Sequence, residues 1–318
     1  MKKIISLALV FVLALTVLVG CGGANNEKDY TLAIGVATEQ DGAEVTNTVA
    51  AVIISDNKIV ACRIDALAIK PTLNNGIAAA GTYKTKAESG DAYGMLTNSD
   101  DYGSKLAEWD DQAKAFEAYV TGKTQADVNG IALDDDGKPT DAALTAGCTV
   151  AVSDFVKAID NAFKSEHKVA FKSAATLTLG VAANGTVENE KDNEGNPKNV
   201  LSYTTDFAAT VIADGKVVAA TIDSLDLTAT VTNDEVGAIE NKGTKLEQGD
   251  NYGMFTNNDN YGSKLAEWHT QAQAYANTAV GKTAAEVAGL STDKIEGSCT
   301  IYVGGYKIAL EKAASYTR

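Results

Sequence analysis

The sequence predicts an α+β protein made of two tandem homologous domains, each an antiparallel sheet with helices packed on one face. Three observations predict it: an internal repeat, β-branched runs paired across short turns, and helical periodicity behind them. Residues 85–109 read TKAESGDAYGMLTNSDDYGSKLAEW and residues 244–268 read TKLEQGDNYGMFTNNDNYGSKLAEW, with 19 of 25 positions identical at a constant offset of 159. A repeat this close defines the architecture before any single element does.

The likeness extends in both directions once gaps are allowed. TLAIGV (31–36) matches TLTLGV (176–181), and VAAVIISDNKIVACRIDAL (49–67) matches FAATVIADGKVVAATIDSL (207–225). GCTVAVSDFVKAIDNAF (147–163) matches SCTIYVGGYKIALEKAA (298–314). The two copies therefore span 28–165 and 167–318. Two polar segments interrupt the match, one around Asn184–Asn199 and one over Asp134–Pro139, and their composition predicts surface loops.

Within each copy the elements follow in order. Ala50–Ile54 and Lys58–Ile64 are β-branched runs joined by Asp56-Asn57, and Asp214-Gly215 stands at the same place in the second copy. Such pairs tolerate positive φ and predict a hairpin. A glycine- and tyrosine-rich loop comes next, then a helix from about Ser104 to Val120. Leu106, Trp109, Ala113, Phe116 and Val120 recur there at helical spacing, mirrored by Leu265, Trp268, Ala272, Tyr275 and Ala279. Gly122 and Gly281 stop these helices. A last helix follows Thr149, with Phe155, Ile159 and Ala162 on one face, mirrored by Tyr306, Leu310 and Ala313.

The N-terminus predicts export. Lys2 and Lys3 precede an apolar run from Ile4 to Val19, too short for a stable membrane helix but right for a signal peptide over 1–20. Leu18-Val19-Gly20-Cys21 resembles the bacterial lipobox, which implies a lipid on Cys21 and a mature chain anchored to the outer face of the cell membrane. Residues 21–27 are small and polar, as a tether requires. The net charge of −15 disfavours nucleic acid and anionic headgroups as partners, since like charges repel.

Chemistry is expected in the loop that the copies share most closely. Gly94 and Gly103 allow close backbone approach, and Tyr93 and Tyr102 offer flat faces with a hydroxyl at the rim. Ser104 and Lys105 are expected to open a helix whose free N–H groups favour an anion. The second copy supplies Tyr252, Tyr261, Gly262, Ser263 and Lys264. An aromatic platform beside a helix N-terminus suits a flat phosphorylated cofactor; an aromatic-capped turn packed on the helix is the structural alternative.

In order, the chain carries Asp-Gly-Lys (214–216), Tyr-Gly-Ser (102–104 and 261–263), Gly-Lys-Thr (122–124 and 281–283), Ala-Gly-Cys-Thr (146–149) and Gly-Ser-Cys-Thr (297–300). This order resembles the FMN-binding domain of exported bacterial redox proteins. The resemblance implies FMN as cofactor, redox carriage rather than substrate turnover, and redox proteins of the envelope as partners. It also makes Thr149 and Thr300 candidate phosphate contacts, with N-capping of the last helix as the alternative. In flavinylated relatives an aspartate stands six residues before the threonine; Ala143 and Lys294 stand there in this chain, which implies non-covalent binding. A surface module that binds a ligand or protein without flavin is the second reading.

Other constellations are weaker. Cys62, Cys148 and Cys299 are expected as small buried apolar residues rather than a disulfide framework. Glu88, Asp91, Asn98, Asp100 and Asp101 could cage calcium, although their spacing matches no calcium loop. His167 and His269, the chain's two histidines, do not recur between the copies, so a histidine site common to both is not expected.

Overall fold

The computed structural model describes residues 27–98, 105–257 and 264–317. Cys21 and the apolar run before it lie outside the described residues, as do Tyr102, Gly103, Ser104, Tyr261, Gly262 and Ser263. The architecture is mixed α+β, with antiparallel sheets flanked by helices. No helix among the described residues is long and apolar enough to cross a membrane.

One sheet orders its strands β3-β2-β1-β6, where β1 is Lys28–Asp41, β2 Glu44–Ser55, β3 Lys58–Ile69 and β6 Val169–Ser173. A second runs β10-β9-β8-β7, from β7 Leu177–Lys191, β8 Pro197–Ala213, β9 Lys216–Thr232 and β10 Glu235–Val236, with β11 Glu240–Asn241 also on β9. Among the described residues the short β4 (Leu73–Asn74) and β5 (Ile77–Ala78) pair only with each other. The expected turns hold. Asp56 and Asn57 take φ of 49° and 60°, and Asp214 and Gly215 take 50° and 77°. That handedness matches the twist of paired strands. The strands run longer than their β-branched centres, because apolar residues continue on alternate positions into polar flanks.

The segment around Asn184–Asn199 is not a loop but a correction to the sequence reading: β7 and β8 continue through it, and the turn is confined to Asp192–Asn196. Its composition is polar, yet burial alternates from Gly185 through Thr186, Val187 and Glu188 to Asn189. That period of two is a strand signal that composition conceals. Asp134–Pro139 does form a loop, with the Asp134 carboxylate accepting from the Asp136 and Lys138 amides.

Each copy adds helices on one face of its sheet. In the first these are α1 (Lys86–Ser89), α2 (Trp109–Val120), α3 (Gln125–Asn129), α4 (Ala142–Thr145) and α5 (Ser153–Lys164). In the second, α6 (Lys245–Gln248), α7 (Trp268–Ala276), α8 (Ala284–Ala288) and α9 (Gly304–Ser315) repeat α1, α2, α3 and α5, and α4 has no helical counterpart among the described residues. The helix expected from Ser104 opens at Trp109 instead. Leu106 and Leu265 precede the helices and are exposed, because Glu108 and Glu267 in extended backbone hold the N-cap position.

The free face of each sheet packs on the other sheet. β3 lies over β7, and β1 over β9. β1 shows why: Leu32, Ile34 and Val36 point into the core between the sheets, while Ala33 and Ala37 point to the helices. Large residues fill the space between the sheets and small ones let a helix sit close. At Gly35 and Gly180 a Cβ would collide with the backbone of α5 (Ala158, Ala162) and of α9 (Ala313) respectively. At the inner face a Cβ on Gly185 would come within 2.6 Å of Leu67 and Ile69.

Polar pins fix the register between the copies. Asn47, fully buried, donates to Thr205 Oγ1 at 3.0 Å, and the Tyr203 hydroxyl donates to the Ala43 carbonyl at 3.0 Å. Lys312 in α9 reaches Glu88 at 3.0 Å, and Arg63 donates to the Tyr316 carbonyl at 3.1 Å. β6, which sequence matching assigns to the second copy, pairs with β1 of the first, and Phe171 stacks on Tyr30.

Gly35→Ala and Gly180→Ala should each cost at least about 1–3 kcal/mol, the range for overpacking against an unyielding neighbour. Urea denaturation midpoints measure this, and wild-type midpoints in both variants would contradict the direct helix-on-strand packing.

Candidate functional site

The segments shared most closely by the copies are tied together by buried side chains. Gln112 and Gln271 are fully buried. Gln112 Nε2 donates to the Ala107 carbonyl at 2.8 Å, and its Oε1 accepts from the Thr149 amide at 2.8 Å and hydroxyl at 3.1 Å. Gln271 repeats this with Ala266 at 2.8 Å and with the Thr300 amide and hydroxyl at 2.9 and 3.0 Å. Glu108 accepts from the Met95 and Leu96 amides, and Glu267 from Phe255. Asp65 and Asp223 bind the amides of Ala87 and Leu246 at 3.0 Å each, anchoring the capping box that Thr85 or Thr244 builds at the start of α1 or α6. Burial pushes these two carboxyls up, to about 6 for Asp65 and about 7 for Asp223, against the pull of their hydrogen bonds.

The Gly-Lys-Thr motifs have a structural account too. Gly122 and Gly281 leave their helices at φ of 83°. Their amides donate to the Ile59 and Val217 carbonyls at 2.8 Å, and Thr124 and Thr283 close capping boxes on α3 and α8.

Both copies also carry a lysine between two aromatic rings, a cluster that the sequence reading did not assemble. Lys86 Nζ lies 5.3 Å from the Tyr93 ring centre and 5.4 Å from Trp109; Lys245 Nζ lies 5.5 Å from both Tyr252 and Trp268. Such contacts stabilise the charged form. The surroundings then diverge. Burial lowers the Lys86 pKa despite several carboxylates nearby. For Lys245 the burial effect is overcome by the Tyr306 hydroxyl and the Asp226 carboxylate, the latter at 2.9 Å, and its pKa is raised. Ala68 occupies the position of Asp226 in the first copy.

Over the second cage opens a cleft of roughly 800 Å³. It brings together Tyr252 and Thr300, two of the residues expected from sequence, with Lys294, Tyr302 and the start of α9. The size lies within the range of small-molecule sites. Tyr302 is 86% exposed at the mouth. At the α9 N-terminus Asp206 sits against Gly305, so close that no Cβ could stand there. Burial raises the Asp206 carboxyl to about 6, against a hydrogen bond from Ser224 at 2.9 Å. In the first copy Asp154, inside the first turn of α5, supplies the corresponding carboxylate.

These positions set aside the N-capping alternative for the two threonines. Thr149 and Thr300 do not cap the last helices, whose N-caps are Val152 and Val303. Their donors turn inward to glutamine, and a carboxylate of the chain lies at each of those helix starts. Tyr93 and Tyr252 are half-buried, and each has its lysine over one face of the ring. Gly94, at φ of 76°, closes a 3₁₀ turn. The three described cysteines are free and buried. Among the described residues no three histidine, cysteine or carboxylate side chains are grouped to hold a metal ion. Of the calcium candidates, Glu88 caps Thr85 and pairs with Lys312, while Asp100 and Asp101 lie outside the described residues.

Gln271→Leu should lower stability by about 1–3 kcal/mol, because the Thr300 amide and the Ala266 carbonyl lose a buried partner, and Gln112→Leu should match it. Unfolding midpoints check this, and no loss in either variant would contradict the lock. Compared with protein-family models, with curated proteins and with solved structures, the chain finds no match.

Proposed function

We propose that the chain is an exported lipoprotein, anchored through Cys21 and built as two domains that resemble FMN-binding domains, whose second copy binds a flat ligand of the flavin class without a covalent bond. The observation that carries this is the cleft joining Tyr252, Thr300 and the Lys245 cage in one wall. Tyr252 and Tyr302 would contact the ring system. Lys294, for which no ion pair is found among the described residues, would face the anionic end. A bound flavin would supply reversible electron transfer, and the chain's residues would bind and orient it. Envelope redox proteins would be its partners on this reading.

Thr300 and the α9 N-terminus are poor phosphate ligands, since Gln271 and Asp206 already occupy them. That supports non-covalent binding, and it also gives weight to a second reading: a surface module for a ligand or protein without flavin. The exposure of Tyr302, and of Leu96 with Phe255 at equivalent places in the two copies, favours that alternative.

The test is an absorbance spectrum of residues 22–318 from a flavin-replete host, followed by FMN titration of tryptophan fluorescence. The flavin reading predicts colour lost on acid precipitation, or quenching that saturates at micromolar FMN and weakens at least tenfold in Tyr252→Ala/Lys294→Ala. A colourless protein that fails to bind added FMN would overturn it and leave the second reading.

A further inference from the structure

The two histidines of this chain are 102 residues apart (269 − 167), and the fold lays their rings together, centres 4.2 Å apart and planes 31° apart. His167 opens the second copy by sequence matching, but it stands at the junction, against the end of the first copy's last helix, while His269 lies deep in the second. His167 lies just past α5 of the first, and His269 is the second residue of α7 in the second. A cleft of roughly 640 Å³ between the copies surrounds them. Lys164 and Glu166 face it from the end of α5, Glu247 from α6, and Asp250 from the 3₁₀ turn that follows α6.

The contact is close on every side. His167 Nε2 rests against Gly249, where a Cβ would stand 3.1 Å away. His269 Nε2 lies 3.8 Å from Asp250 Oδ1, and its buried Nδ1 has no hydrogen-bond partner. The rings lie against each other at a tilt, and among the described residues no third ligand joins them to hold a metal ion.

We propose that His167 and His269 form a proton-sensitive clasp between the two copies, closed while the rings are neutral and released when both are protonated. Two positive rings this close repel each other in a cleft where water screens them poorly. Glu166 and Asp250 can balance a first proton; the second meets that repulsion in a half-buried cleft. The His167 pKa is lowered accordingly, first by burial and then by His269, with Glu166 and Asp250 pulling weakly the other way. A lowered folded-state pKa means that the unfolded chain binds protons more readily. The clasp therefore contributes its full stability above about pH 6.5 and loses it as pH falls below that value. His269 follows Trp268 directly in α7, and Trp268 lines the ligand cleft.

With two histidines, the imidazole proton resonances of residues 22–318 can be followed one by one in a titration from pH 8 to 4.5. The clasp predicts that His167 titrates below 6.5 and moves upward in His269→Asn. It also predicts that amide exchange over Glu247–Asn251, corrected for its intrinsic pH dependence, speeds about tenfold more between pH 7 and 5 in wild type than in His167→Asn. Independent titration of both rings near 6.5, with His167 unmoved in His269→Asn, would overturn the proposal. Should His269→Asn fail to fold, His269→Gln takes its place in the same titration.

Discussion

Everything in this molecule hangs on the burial of two sheets against each other. An antiparallel sheet with helices on one side leaves a second apolar face, and each copy here covers that face with the other copy. One hydrophobic cluster accordingly runs from Leu32, Val49 and Ile53 in the first copy to Tyr203, Phe207 and Val211 in the second. Each large side chain removed from water there is worth roughly 1.5–3 kcal/mol. The crossing of β6 into the first sheet and of α9 onto Glu88 and Arg63 follows from that shared core.

The copies have diverged where they no longer need to be alike. The first buries Arg63 beside Glu117, 3.5 Å apart, where the second has Thr221 and Ala276. The second surrounds its caged lysine with Asp226 and Asp206 and opens a cleft beside it. What they keep in common is the lock of Gln112 or Gln271, Glu108 or Glu267, and Asp65 or Asp223. Their closest likeness, in a loop, is thus explained in large part by hydrogen bonds that hold the loop to a helix, and the ligand chemistry rests on the parts that differ.

Much of the fold was legible in the sequence, and the exceptions have physical causes. Asp56-Asn57 and Asp214-Gly215 announced their turns because few residues accept positive φ. Phe155, Ile159 and Ala162 announced α5 by spacing alone. The strands through Asn184–Asn199 stayed hidden because a lengthened hairpin with one face toward solvent reads as polar when composition is weighed before period. The packing of sheet on sheet was written in β1, where large Leu32, Ile34 and Val36 alternate with small Ala33, Gly35 and Ala37, yet such a pattern does not say what the large side will meet. Tyr252 and Thr300 were singled out from the sequence and line the candidate cleft, but their neighbours Lys245, Asp206 and Lys294 come from distant segments. The histidine pair was invisible because it joins the junction between the copies to α7, and neither histidine recurs in the other copy.

The most direct test of the shared core is to produce residues 28–175, the first copy with β6 retained, and to measure its mass in solution and its unfolding. The account predicts a dimer joined through the exposed sheet face, or a chain without a cooperative transition. A monomer that unfolds cooperatively with the stability of the whole protein would contradict it, and would make each copy a domain able to stand alone.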